Sequence, residues 1–206
     1  MPLRHQAPGP SWVDCQDHGA GSGAELLLVE GESALQSVLA VRDPRCQAVL
    51  AMQGKPLNAC KASAQRVAAH LPFVVLAQAL GLPGPTAVDG RSATSPPALR
   101  FERLLMLFDP DADGIHIAAL MVLYVQRWMP CLIAHQRLWW VSAPMFRPAA
   151  AGQPANLQVP YRGLGNIAPA ALRLHCVDPV TRRCRLVQKS DVVQVMASLG
   201  VKPAPD

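Results

Sequence analysis

The chain has 206 residues, half of them apolar and 16% charged, and its 15 Arg and 4 Lys against 14 acidic residues give a formal charge of +5. That content suits one α/β-sized domain with a full core, leaves no space for a second large one, and contains no apolar run near the roughly 18 residues of a membrane span. The Arg excess favours a polyanionic partner, because a planar guanidinium grips phosphate through two donors at once.

Six Cys, at 15, 46, 60, 131, 176 and 184, form no CxxC pair, which argues against a zinc knot and for reduced thiols in the cytoplasm. Residues 1–23, rich in Gly, Pro and Ser, are expected as a flexible arm. Order should begin with the buried strand in ELLLVEG (25–31), followed by a helix over 33–41 capped by Ser33. QAVLAM (47–52) predicts a second strand. The stretch from Lys61 to Gly81 reads as helical segments interrupted at Pro72.

A Pro/Gly-rich loop fills 82–98. Beyond it come a strand over 103–108, an apolar helix over 114–129 stopped by Pro130, and a strand over 137–146. Strands alternating with helices predict an α/β fold with a mainly parallel sheet flanked by helices, whose ligand site lies beyond the carboxyl ends of the strands. The domain is expected over 24–150, with 151–206 a short basic extension that contains YRGLG and a strand-like stripe of Arg173, Arg182, Arg183, Arg185 and Lys189.

Two segments place acids at that edge: VEGES, with Glu30, and FDPDADG, with Asp109, Asp111 and Asp113. At an effective dielectric near 20, two such charges about 6 Å apart repel by roughly 3 kcal/mol. A divalent cation removes that cost, and Mg²⁺ is usually held by a few carboxylates with water and phosphate in its other positions. An EF-hand loop also begins DxDxDG, but its twelfth position here is Leu120 where a glutamate is needed. An isolated run of this kind is also compatible with a solvated acidic turn at a helix start.

LLLVEGESA, QAVLAMQGKPLNACKA, LLMLFDPDADGIHI, WMPCLI and YRGLG occur in that order, preceded by VDCQ at 13–16. Together they resemble the TOPRIM region of type IIA DNA topoisomerases, the part carried by the gyrase B and topoisomerase IV B subunits, over about residues 12–190. The resemblance implies a TOPRIM (Rossmann-like) fold and a Mg²⁺-dependent DNA cleavage and religation half-site, with Mn²⁺ a substitute. It puts Glu30 on the general acid/base glutamate, also a candidate metal ligand, and Asp109, Asp111 and Asp113 on the metal-binding aspartates. Lys55 and His116 fall on cleavage-site residues. Lys55, Lys61, His116, Tyr161, Arg162, Arg182 and Arg183 are the expected DNA contacts, although His116 and Tyr161 also suit a helix surface and ordinary packing.

The departures are Gln53 for the family's arginine, Glu32 for the aspartate of EGDSA, and Asn166 for an acidic residue. No Gly-rich nucleotide loop is present, so neither an ATPase domain nor an ATP site is expected, and a separate ATPase chain would supply it. Neither Tyr124 nor Tyr161 matches an attacking tyrosine, so a gyrase A-like or topoisomerase IV A-like subunit is the expected partner beside DNA. The alternatives are a non-catalytic regulator that binds DNA or a topoisomerase, and a stand-alone TOPRIM nuclease.

Overall fold

The computed structural model describes residues 11–82, 99–147, 159–161 and 163–202. Its centre is a six-stranded sheet in the order β1-β3-β2-β4-β5-β8, built from β1 (Trp12–Val13), β2 (Glu25–Val29), β3 (Gln47–Ala51), β4 (Arg103–Met106), β5 (Leu138–Val141) and β8 (Cys184–Leu186). The four inner strands are parallel, and β1 and β8 run antiparallel at the two edges. A separate two-stranded ribbon joins β6 (Phe146–Arg147) to β7 (Val159–Pro160).

β2 is buried along its whole length because alternate side chains enter two different cores. Leu26 and Leu28 join Leu50, Phe73, Leu76, Met106 and Met121 on one face, and Leu27 and Val29 join Leu35, Val38, Leu107, Leu164 and Leu172 on the other. The first face is covered by α3 (Leu71–Ala79) and α4 (Ala112–Trp128), with α7 (Lys189–Ser198) packed on α4. The second is covered by α1 (Glu32–Leu39) and by the carboxy-terminal segment containing α6 (Pro169–Leu172). The short α2 (Ala64–Ala68) precedes α3, and α5 (Pro130–Ala134) follows α4. Among the described residues no helix is long and apolar enough to cross a membrane, and all six cysteines are free.

The chain leaves β2 for β3 on one side and then crosses to β4 on the other. The crevice at this change of direction lies between the carboxyl ends of β2 and β4, the usual ligand position in an open α/β sheet. Glu30 and Asp109 follow those two ends closely.

Several local expectations change. Residues 11–23 are not a loose arm: β1 pairs with β3, and the backbone at Gln16 and Asp17 bonds the turn before β3. Residues 1–10, most of the 82–98 loop and Arg162 lie outside the described residues. Ser33 does not cap α1; Gly31 holds that position without a side-chain bond. Pro72 does not interrupt a helix but sits in the first turn of α3, where no intrahelical donor is lost, and the break falls at Ala69–His70. The strand expected over 137–146 ends at Val141. The basic stretch over 173–191, expected to carry a strand-like pattern, opens with a π-helical turn (Arg173–Val177) and runs into α7, and only Cys184–Leu186 is strand.

Candidate functional site

Three loops converge beyond the sheet's carboxyl edge. Glu30 is half-buried in the turn between β2 and α1. The loop after β3 runs beside it, with the Met52 N–H donating to the Val29 carbonyl at 2.9 Å and the Gly54 N–H to the Glu30 carbonyl at 3.4 Å. That loop turns through two left-handed residues, Gln53 (φ 53°) and Gly54 (φ 98°), a backbone shape that suits glycine at the second. It presents Lys55, whose Nζ lies 2.6 Å from Asp113 Oδ1.

The third loop carries the aspartates, each with a different task. Asp111 caps α4, its Oδ1 accepting from the Gly114 N–H at 2.8 Å, which leaves its second oxygen for a ligand. Asp109 is half-buried and accepts from the Leu164 N–H through Oδ1 at 2.8 Å. Asp113, in the first turn of α4, is exposed and pairs with Lys55. Gly114 closes the loop because a Cβ there would stand 2.0 Å from the Asp109 carbonyl oxygen.

The electrostatics follow this layout. Burial, followed by the charges of Asp109, Asp111 and Asp113, raises the Glu30 pKa, and Lys55 opposes them. Burial also raises Asp109, with Asp111 adding to it and the Leu164 N–H working against it. Asp113 is lowered by the hydrogen bond and charge of Lys55, and further by His116. The four acids therefore share one field, and the sheet edge brings Glu30 to the aspartates. The lysine pairs directly with the outermost of them, Asp113, and acts on Glu30 through its charge.

A divalent cation fits this donor set. The donors are hard carboxylate oxygens gathered in one negative field, the type a divalent cation takes, and for Asp109 only the Leu164 N–H works against the effects of burial and Asp111. The set is open. Among the described residues, the three whose ligand atoms come within 4.8 Å of one another are Asp14, Cys15 and His18, at the opposite end of the sheet. There Arg100 already bonds Asp14 and His18, and burial pushes the Cys15 thiol up to about 11, so that trio is neutralised by a protein cation.

The remaining expected contacts separate. His116 is exposed on the first turns of α4, and its charge reaches Asp113. Lys61 is exposed on the turn before α2. Tyr161 is half-buried against the second core, its N–H donating to the Met145 carbonyl at 2.9 Å. Arg183 is exposed beside the end of β5, where its carbonyl accepts from the Ser142 N–H.

Arg182 is a correction: its side chain is 1% exposed and paired with buried Glu25, so it cannot face phosphate. Gln47 and the Val177 carbonyl complete that internal network. Tyr124 is also ruled out as a nucleophile, being fully buried, stacked on Phe73 at 3.8 Å and raised in pKa by burial. Sequence reasoning missed the Leu164 N–H, since a backbone donor carries no side-chain signature.

The Toprim domain family matches residues 25–140, more than half of the chain and the whole of the acidic site. The chain belongs to the Toprim domain family. This Toprim chain is 36% identical over 141 residues to the B subunit of DNA topoisomerase 4 from Caulobacter vibrioides, an alignment that covers 68% of the chain and 19% of that protein. It is 34% identical over 137 residues to the DNA gyrase B subunit of Thermus thermophilus, covering 66% of the chain and 21% of the relative. The corresponding topoisomerase 4 B subunit of Haemophilus influenzae is 30% identical over 208 residues, covering 86% of the chain and 32% of the relative. The Toprim chain thus spans about a fifth to a third of these relatives.

Proposed function

We propose that this Toprim chain is the metal-dependent half of a type IIA topoisomerase cleavage site, working on DNA with a separate tyrosine-bearing subunit. The observation that carries the reading is the convergence of Glu30 with Asp109, Asp111 and Asp113 at the change of direction in the sheet. Glu30, Asp109 and Asp111 would hold Mg²⁺ or Mn²⁺, with Asp113 tied to Lys55 at the rim. When bound, the ion supplies positive charge that stabilises developing negative charge on phosphate oxygens.

The chain's own residues do the rest. Glu30, whose pKa is raised by burial and by the neighbouring aspartates, is the carboxyl that gives and takes the proton at the 3′ oxygen. Lys55 and His116, on the Asp113 side of the cluster, would meet the DNA backbone. The burial of Tyr124 supports a reading in which the attacking hydroxyl is supplied by the partner, a gyrase A-like or topoisomerase IV A-like chain.

The test is a supercoiled-plasmid assay with Mg²⁺ or Mn²⁺, with and without such a subunit. Cleavage only in the presence of both chains is expected, lost in Asp111→Ala. Metal-dependent nicking by the isolated chain would instead favour a stand-alone nuclease.

A further inference from the structure

We infer that the turn Gly163–Leu164–Gly165 is a positioning device for the acidic site, fixing Asp109 against the start of α1 and so against Glu30. This rests on the metal-site reading above and adds residues to it. The side chain of Leu164 is fully buried in the second core with Leu35, Val38 and Leu107, which anchors the turn under the sheet edge. Its N–H then points at Asp109 Oδ1, 2.8 Å away.

The flanking glycines press on the two sides of the site. At Gly163 (φ +116°) the place of a side chain is taken by Asp109, since a Cβ would meet Oδ2 at 2.5 Å. At Gly165 it is taken by α1, since a Cβ would meet Ser33 Oγ at 2.4 Å but Ser33 Cβ only at 3.5 Å. A segment more than fifty residues downstream therefore spans the two loops that carry the acids. A methyl group at Gly163 must displace the Asp109 carboxylate, and one at Gly165 must displace the Ser33 hydroxyl at the start of α1.

The experiment is Mn²⁺ titration, read by electron paramagnetic resonance, on the full chain and on Gly163→Ala, Gly165→Ala, Ser33→Ala and the double variant Ser33→Ala/Gly165→Ala, with thermal melting in parallel. Partners that orient metal ligands typically change affinity by about 10–100-fold, so each glycine variant is expected to weaken Mn²⁺ binding by at least about tenfold. Ser33→Ala alone should bind as the natural chain does. The double variant should recover to within about twofold, because removing Oγ leaves only the ordinary 3.5 Å contact.

Gly163→Ala leaves Ser33 alone and keeps the test open if Gly165→Ala does not fold. Unchanged affinity in folded glycine variants, or loss that Ser33→Ala does not repair in the double variant, overturns the positioning role and leaves the metal site standing. Absence of Mn²⁺ binding by the natural chain removes both.

Discussion

At the scale of single residues, the site is built against stability. Glu30 is raised above the ordinary 4.5 by burial and three neighbouring aspartates, so its ionised form costs the metal-free fold something at neutral pH. For a raised acid, stability falls as pH climbs from the unfolded value through the folded one. Glu30→Gln is therefore expected to raise the metal-free melting temperature by about 1–2 °C at pH 7, a small gain because solvent still reaches the half-buried group and screens its neighbours. That gain should shrink as pH drops toward 4.5 and Glu30 protonates. Differential scanning calorimetry across pH 4–8 reads both effects; a melting temperature lowered at pH 7 would contradict them. Lys55→Ala should expose Asp113 to the uncompensated field and raise its pKa toward the ordinary 3.8 or beyond, a change readable by NMR titration of the carboxyl carbon.

At the scale of elements, the amino-terminal side of the sheet is held by a buried pair whose members come from opposite ends of the chain. Arg182 bonds Glu25 with two nitrogens, and both Arg182 and the Gln47 amide, which also donates to Glu25, donate to the Val177 carbonyl. Arg182→Ala leaves the buried Glu25 carboxylate with only the partly exposed Arg103 and the Gln47 amide and is expected to cost about 3 kcal/mol in urea unfolding, whereas Arg182→Met with Glu25→Leu should cost far less. Opposite in sign to Glu30 are Asp14 and Asp191. Burial pushes each up, but the His18 and Arg100 bonds to Asp14, and the Gln188 N–H and Arg185 bonds to Asp191, leave both below the ordinary 3.8. Their stabilisation is complete above about pH 4 and is lost as pH falls through the folded values. Asp191→Ala should remove that share of the acid sensitivity along with about 1 kcal/mol of α7 capping.

Elements also show where the sequence was readable. The inner strands were, because continuous apolar runs such as LLLV admit little else between two cores. The position of the acids was, because Glu30 and Asp109 each follow the carboxyl end of a strand that could be read from its apolar run. The tail was not: Arg173, Arg182 and Arg183 look alike as letters, yet Arg182 is buried beside Glu25 while Arg183 is exposed, and only the tertiary partner decides. Pro72 misled for a related reason, since a proline ends one helix or opens the next and local sequence serves both. β1 was hidden at two residues, too short for any alternation to register.

At the scale of the whole molecule, one sheet separates two regimes. Its amino end is closed by internal ion pairs, and its carboxyl end gathers acids with few protein cations to answer them. On the proposed reading, a chain of net charge +5 takes a polyanion at this negative edge once a cation offsets the acids. DNA binding is accordingly expected to strengthen on adding Mg²⁺ and to weaken steeply with salt, with a smaller salt slope in Lys55→Ala, all readable by fluorescence anisotropy.

The most direct measurement is anomalous diffraction from crystals soaked in Mn²⁺. A peak between Glu30 and the carboxylates of Asp109 and Asp111, absent in Asp111→Ala, is the predicted result. Full occupancy at Asp14, Cys15 and His18 with no density at the acids, or no bound ion anywhere, would contradict it.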